Sequence, residues 1–185
     1  MTLEEYLPYT GVGSRETPED VLGLMESIGY LLARDGWTLR SGGAEGADSA
    51  FERGAMRGMD GELLEPWPEI FLPWSGFNNR PLGPDFVEPQ AEAFQVAAKY
   101  HPAWDRLSQG GRRLHARNVH QVLGSDLDKP IKSGFVICWT KGGKGGGGTG
   151  QAIRIAEAHD VPIEDLGREE VLQSWTKWVA EREDR

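Results

Sequence analysis

The chain has 185 residues, 38% of them hydrophobic, which is enough for one full core, and no apolar run approaches the roughly 20 residues of a membrane-spanning helix. A formal net charge of −9 argues against unaided, sequence-independent binding to DNA, which requires many phosphates to be neutralised. The single cysteine excludes an internal disulfide and a metal site built from several cysteines.

The first part of the chain alternates between strand-like and helix-like segments. An apolar run over 9–13 predicts the first strand. Thr17 as an N-cap and Pro18 at the first helical position predict the start of a helix, which Gly36 ends. Further strands are predicted over 37–40 and 69–72. Between them lies a helix with small residues on one face, which favours close packing on a sheet.

Residues 73–111 interrupt this alternation. Several prolines punctuate the excursion, and one helical stretch is predicted over about 88–100. A long excursion between strands usually carries function or covers a site. Trp74 and Phe77, beside two asparagines, suit base stacking and edge recognition. The alternative is that these aromatic residues only bury the excursion against the domain.

The second part resumes the alternation. A helix is predicted over 112–123, and the continuously apolar run 135–139 is typical of a central parallel strand covered on both faces. A helix after residue 150, a short strand over 161–163 and a closing helix at about 168–182 complete the pattern. We therefore predict one α/β domain over 1–185, a Rossmann-like sandwich with a mainly parallel central sheet and helices on both faces.

Two glycine-rich turns, residues 41–48 and 142–150, are the most informative motifs. Each follows a predicted strand and opens a predicted helix. Glycine lets backbone amides approach an anion, and a helix start adds unsatisfied donors and a positive dipole end. Because ligands of such folds bind at the carboxyl ends of the strands, the two turns predict one cleft for a phosphate or ribose-phosphate. The alternatives are a tight strand-to-helix turn and a solvated surface loop.

Polar side chains complete the predicted site. Ser41 adds a hydroxyl, Asp48 orients the first turn or accepts from a ribose hydroxyl, and Thr149 caps a helix while donating to an oxygen. A guanidinium at Arg15 suits bidentate phosphate contact, with an ion pair to a neighbouring glutamate as the alternative. The predicted ligand-binding residues are Gly13, Ser14, Arg15, Ser41, Gly42, Gly43, Ala44, Gly46, Asp48, Arg117, Asn118, Gly146, Gly147, Gly148, Thr149, Gly150 and Gln151.

These motifs resemble those of the SLOG superfamily, the Rossmann-like group of DNA-processing protein A and the LOG phosphoribohydrolases. The resemblance spans roughly residues 9–166 and rests on Gly13-Ser14-Arg15, the 41–48 turn, the Arg117-Asn118 pair and the Gly-Gly-x-Gly-Thr-like turn that ends at Thr149. It implies a nucleotide or nucleotide-derived ligand. Neither a cofactor nor a metal is expected.

The LOG enzymes carry a glutamate three residues after the threonine of the last turn, and the corresponding residue here is Ala152. Cleavage of a glycosidic bond needs a carboxylate, and alanine supplies none. We therefore expect binding without hydrolysis. The enzyme alternative is a LOG-like nucleoside-phosphate N-glycosidase in which Glu45 or Asp48 replaces the missing acid.

A second alternative is a recombination mediator that binds single-stranded DNA, as the resemblance to DNA-processing protein A implies. The acidic charge weighs against it, as does the lack of the winged-helix domain that many of those proteins carry. Compact chains of this size resemble ones encoded by bacteriophages. A phage origin would fit sequestration of a host defence signal, such as a cyclic nucleotide or an ADP-ribose derivative.

Partners and location are expectations of the same kind. The SLOG resemblance implies a homodimer, and Trp175 and Trp178 lie in an apolar stripe of the last helix that either joins two copies or packs on the sheet. Residues 1–5 are acidic and do not resemble a secretory leader, so a cytoplasmic location is expected. We expect neither a nucleic acid nor a membrane as partner.

Overall fold

The computed structural model describes residues 7–59, 67–80 and 86–183. Its strands are β1 (Leu7–Gly11), β2 (Trp37–Ser41), β3 (Glu69–Phe71), β4 (Phe86–Val87), β5 (Val136–Cys138) and β6 (Ile163–Asp165). Its helices are α1 (Glu19–Arg34), α2 (Ala47–Gly58), α3 (Ala91–Tyr100), α4 (Gln109–Leu123), α5 (Thr149–Ala158) and α6 (Glu169–Glu183).

The described strands form one sheet in the order β4-β3-β2-β1-β5-β6, and every pairing is parallel. Thr10 of β1 stands opposite Arg40 of β2 on one side and Val136 of β5 on the other. The chain therefore builds outward from β1 and later returns to its other side, so the strand order reverses between β1 and β5. In open α/β sheets this point is where ligands bind.

Helices cover both faces, which confirms the predicted Rossmann-like sandwich. One core cluster joins α1, α2 and α6 to the sheet and includes Tyr9 and Ile137, while the other joins α3, α4 and α5 and includes Val136 and Cys138. Successive residues of a strand point to opposite faces. β5 is apolar at every position because each of its faces is buried under helices.

α1 and α2 pack with their backbones almost in contact. A Cβ atom built on Gly54 would overlap the carbonyl oxygen of Glu26, and one built on Gly29 would lie 2.6 Å from the carbonyl oxygen of Phe51. The small residues predicted to allow close packing thus face another helix as well as the sheet. Because no side chain separates the two helices, they form a tightly joined pair.

Two helix starts differ from the prediction. α1 begins at Glu19, and the Thr17 hydroxyl does not cap it but donates to the carbonyl of Ser14 at 2.7 Å, closing a tight turn. α4 begins at Gln109, three residues before the predicted start. The Ser108 hydroxyl caps α4 by accepting from the amide of Gly111 at 3.1 Å, so two successive glycines lie inside its first turn.

The described part of the excursion packs against the first glycine turn, and its residues 81–85 lie outside the described ranges. Trp74 and Phe77 meet edge to face, with ring centroids 5.2 Å apart, and belong to an apolar cluster that includes Ala44. The Asn78 side-chain amide donates to the carbonyl of Gly43 at 2.9 Å. The excursion also adds the two-residue strand β4, which is too short for any periodicity to predict.

The apolar stripe of α6 packs inward. Trp175 lies 6.0 Å from Phe135 and 5.1 Å from Trp178, measured between ring centroids, and Val179 is buried in the core of the α1 side. Of the two predicted roles for this stripe, the structure shows packing within the chain. The homodimer stays a prediction. Within the described ranges, no helix has both the length and the hydrophobicity to cross a membrane.

Candidate functional site

A cleft of about 380 Å³ opens at the carboxyl edge of the sheet, where the strand order reverses. Its walls are the loops that follow β1, β2 and β5, the starts of α2 and α5 and one face of α4. The cleft brings together eleven of the predicted residues, namely Gly13, Ser14, Arg15, Ala44, Asp48, Arg117, Asn118, Gly146, Gly147, Gly148 and Thr149. Six others do not line it: Ser41, Gly42, Gly43, Gly46, Gly150 and Gln151.

Arg117 is the central cation of the cleft. Its Nη1 donates to the carbonyl oxygen of Gly42 at 2.7 Å and lies 3.8 Å from Oδ2 of Asp48, and its Nη2 donates to Oδ1 of Asn118 at 3.1 Å. Its Nε is buried and has no hydrogen-bond partner among the described residues. Burial lowers the pKa of Arg117, the Asp48 carboxylate opposes this, and the nearby Arg15 adds to the lowering. The cleft therefore holds two like charges that an anion would stabilise together.

Asp48 ties the loops of the cleft to Arg117. Its side chain is almost fully buried in the first turn of α2, where Oδ2 accepts from the amide of Ala44 at 3.3 Å. Burial raises the pKa of the Asp48 carboxyl, whereas Arg117 and the amides of Ala44, Gly13 and Gly42 lower it. One carboxyl group thus contacts the loops after β1 and β2 and the helix α4. Whether Asp48 orients the loops or accepts from a ribose hydroxyl stays a prediction.

The second glycine turn presents unpaired donors to the cleft. The backbone N–H groups of Gly146, Gly147, Gly148 and Thr149 donate to no other described residue. Gly148, and not Thr149, is the N-cap of α5, and Thr149 is the first helical residue. The Thr149 hydroxyl lines the cleft and likewise has no partner in the described part of the chain. Four consecutive amides at a helix start are the arrangement that binds phosphate.

The two ends of this turn are held by side chains. At its start, the Thr140 hydroxyl donates to Oδ2 of the buried Asp165 at 2.5 Å and accepts from the amide of Gly145 at 2.9 Å. Near its end, Nδ2 of Asn118 donates to the carbonyl of Gly148 at 3.1 Å. Asn118 therefore joins Arg117 to the turn that carries the free amides.

Some of the predicted residues that do not line the cleft shape it through contacts beneath its surface. The Ser41 hydroxyl donates to the carbonyl of Gly11 at 2.7 Å within the sheet, and the Gln151 amide donates to the carbonyl of Ala97 at 2.9 Å. Gly42 is needed for a different reason. A Cβ atom there would overlap the Arg117 guanidinium and lie 2.6 Å from Nε2 of Gln121.

Ser14 and Arg15 form the rim on the β1 side. The Ser14 hydroxyl accepts from the amide of Glu16 at 3.0 Å, while the amides of Ser14 and Arg15 have no acceptor among the described residues. Arg15 is exposed and forms no ion pair with any described carboxylate, so the predicted alternative of a salt bridge to Glu16 or Glu19 is not formed.

Sequence reasoning missed most of the wall that α4 contributes. Leu114, His115 and Gln121 also line the cleft beside Arg117, at helical spacings that place them on one face. Gln121 is fully buried, yet neither Nε2 nor Oε1 of its side chain has a hydrogen-bond partner in the described part of the chain. An unpaired buried amide is costly, so this side chain lowers the stability of the folded chain.

Replacing Gln121 with Leu is expected to raise the free energy of unfolding by on the order of 1 kcal/mol, because two unpaired polar atoms leave the interior. The same change at Gln151 is the matched control. Gln151 is equally buried, but its Nε2 and Oε1 each form a hydrogen bond, so Gln151→Leu is expected to destabilise the protein by about 1–3 kcal/mol. Urea denaturation compares the two variants. A clear loss of stability in Gln121→Leu would mean that this amide is already satisfied.

The described residues contain no group of three or more histidine, cysteine, aspartate or glutamate side chains that could hold a metal ion. No family model, no curated protein and no solved structure matches the chain. The function of the chain therefore has to be inferred from the geometry and charge of the cleft.

Proposed function

We propose that the chain is a SLOG-type protein that binds a nucleotide or a nucleotide-derived signal in this cleft without hydrolysing it. The observation that carries the proposal is the row of free amides from Gly146 to Thr149, which begins α5 at the switch point of the sheet. A phosphate there would accept from these amides and meet the positive end of the helix dipole. Arg117 and Arg15 also line the cleft and supply positive charge.

The rest of the cleft suits a nucleoside. Its volume of about 380 Å³ lies within the range of about 300–1,000 Å³ that is usual for small-molecule sites. Val12, Ala44, Leu114 and Ala152 give it apolar surface on several sides. A base or sugar would contact these side chains while its phosphate occupies the glycine turn.

Binding without hydrolysis is supported by the carboxylates that are available. Ala152 lies in the cleft at the position where the LOG enzymes carry their glutamate, and Glu45 does not line the cleft. Asp48 is bound to Arg117 and to backbone amides, which leaves Glu16 on the rim as the remaining carboxylate of the lining. A protein that holds a nucleotide signal intact lowers its free concentration, which fits sequestration of a host defence signal by a phage protein.

Calorimetric titration with nucleoside monophosphates, cyclic dinucleotides and ADP-ribose tests the proposal, with the matching nucleosides as controls. We expect at least one phosphate-bearing ligand to bind and its nucleoside to bind far more weakly. Chromatography of the same mixtures checks the second half of the proposal. Release of free base would overturn binding without hydrolysis, and no binding by folded protein would overturn the proposed function itself.

Arg15→Gln is expected to weaken binding of the best phosphate ligand by about tenfold, since a hydrogen bond to a charged group contributes about 1.5–3 kcal/mol. The matched control is Arg34→Gln, which removes another exposed arginine, at the far end of α1. Both variants should melt near the wild-type temperature, because neither arginine has an ion-pair partner among the described residues. Equal affinities of the two variants would remove Arg15 from the site.

A further inference from the structure

A cluster of basic side chains continues from the cleft toward α3 and α5. The rings of His101 and His115 lie 4.4 Å apart, and the ring of Trp104 lies 6.3 Å from that of His101, measured between centroids. The guanidinium carbon of Arg112 stands 5.6 Å from the centroid of the Trp104 ring. His115 lines the cleft, so the cluster opens directly into it.

Arg154 of α5 completes the cluster. Its Nε donates to the carbonyl of Tyr100 at 2.9 Å and its Nη2 to Oε1 of Gln151 at 2.9 Å. Its Nη1 lies close to Gly150, at the end of the second glycine turn. Its charge acts on both His101 and His115, and the Arg117 charge acts on His115 as well. Four basic side chains therefore form one cluster, of which His115 lines the cleft: His101, Arg112, His115 and Arg154.

The cluster lacks a matching negative charge. None of the four groups forms an ion pair with a described carboxylate, and the one acidic side chain acting on Arg154 is Glu157. Nδ1 of His115 and Nε of Arg112 are buried and have no hydrogen-bond partner among the described residues. Burial, followed by His101, Arg154 and Arg117, lowers the pKa of His115 to about 4, so its neighbours oppose a proton on this ring.

We propose that this cluster is a second anion subsite, and that the ligand therefore carries two anionic groups, as a nucleoside diphosphate or a dinucleotide does. The first group occupies the amides of Gly146–Thr149, and the second is held by His115, His101 and Arg154. This inference rests on the proposed function, because it assigns the class of ligand for the same cleft. It also accounts for two arginines, Arg112 and Arg154, that form no ion pair with a described carboxylate in a chain of net charge −9.

The test compares ligands that differ by one anionic group. Calorimetry measures the affinities of inorganic phosphate, pyrophosphate, AMP and ADP, the first two of which do not depend on the identity of the base. We expect pyrophosphate and ADP to bind at least tenfold more tightly than phosphate and AMP. Arg154→Gln and His101→Asn should lower this ratio about tenfold, because each removes a donor or charge near the second group.

Lys144→Gln is the matched control, since it removes one positive charge from an exposed residue of the glycine turn that does not line the cleft. The ratio should stay within twofold of wild type in this variant. If phosphate and AMP bind but the ratio is near one, or if Arg154→Gln weakens both classes equally, the second subsite is wrong and the proposed function stands. If none of the four compounds binds, the second subsite is wrong, and the proposed function is decided by the titrations with cyclic dinucleotides and ADP-ribose.

Discussion

Asp48→Ala is expected to lower the free energy of unfolding by about 3–5 kcal/mol, because removing one member of a buried ion pair leaves the other charge uncompensated. The charge left behind is Arg117, whose side chain is 10% exposed and whose Nη1 lies 3.8 Å from the carboxylate. The variant also loses the acceptor of the Ala44 amide in the first glycine turn. Chemical denaturation measures the change, and ligand affinity should fall with it because Arg117 is released.

The double variant Asp48→Ala with Arg117→Met provides the control. Removing both charges takes away the uncompensated cation, so much of the lost stability should return, while phosphate binding should stay low. Asp48→Asn, which keeps an acceptor but not the charge, should fall between wild type and Asp48→Ala. A loss below about 1 kcal/mol in Asp48→Ala, as expected of an exposed pair, would show that this carboxyl does not organise the cleft.

Gly42→Ala is expected to destabilise the protein by about 1–3 kcal/mol and to weaken ligand binding more than tenfold. The new methyl group would overlap the Arg117 guanidinium, which hydrogen bonds hold to Gly42 and Asn118. The guanidinium has to move, and the hydrogen bond to the Gly42 carbonyl is lost. Because Gly42 does not have a positive φ, the change adds no backbone strain and its effect reports on Arg117.

Gly23→Ala is the matched control for this substitution. Gly23 is exposed in the middle of α1, and an added Cβ would meet nothing within 4 Å. The same methyl group should there stabilise the protein by about 0.5–1 kcal/mol, since alanine favours the helix more than glycine does. A Gly42→Ala protein with wild-type stability and affinity would mean that the first turn admits a side chain and that Arg117 is not confined by it.

The fold was predictable because it depends on patterns that repeat along the chain. Alternating strand and helix segments require parallel strands, and the apolar run of β5 requires cover on both faces, so the sandwich follows from the sequence. Helix starts were less predictable. Thr17 and Ser108 both precede helices, but only Ser108 caps one, because the Thr17 hydroxyl is used by the turn at Ser14.

The part of the site that is formed by backbone groups was predictable from the sequence. Glycine turns after parallel strands must meet at one edge of the sheet, and eleven of the predicted residues line one cleft. The roles of side chains were harder to predict, since they depend on partners that are distant in sequence. Ser41 donates across the sheet to Gly11, and Gln151 donates to Ala97, so their polar groups are used elsewhere. Gln121 was missed because a glutamine on an amphipathic helix shows its missing partners only once the helix is packed.

The close contact between α1 and α2 gives the cleft walls of unequal stiffness. The loops after β1 and β2 lead into these two helices, whose backbones almost touch at Gly29 and Gly54. This wall of the cleft is therefore rigid. The other wall is the second glycine turn, residues 142–150, in which four glycines have positive φ. Ordering each backbone residue of such a turn costs about 1–2 kcal/mol in entropy. The time for which a ligand stays bound therefore depends on the stiffness of the second glycine turn, as well as on the contacts that both sides of the cleft make.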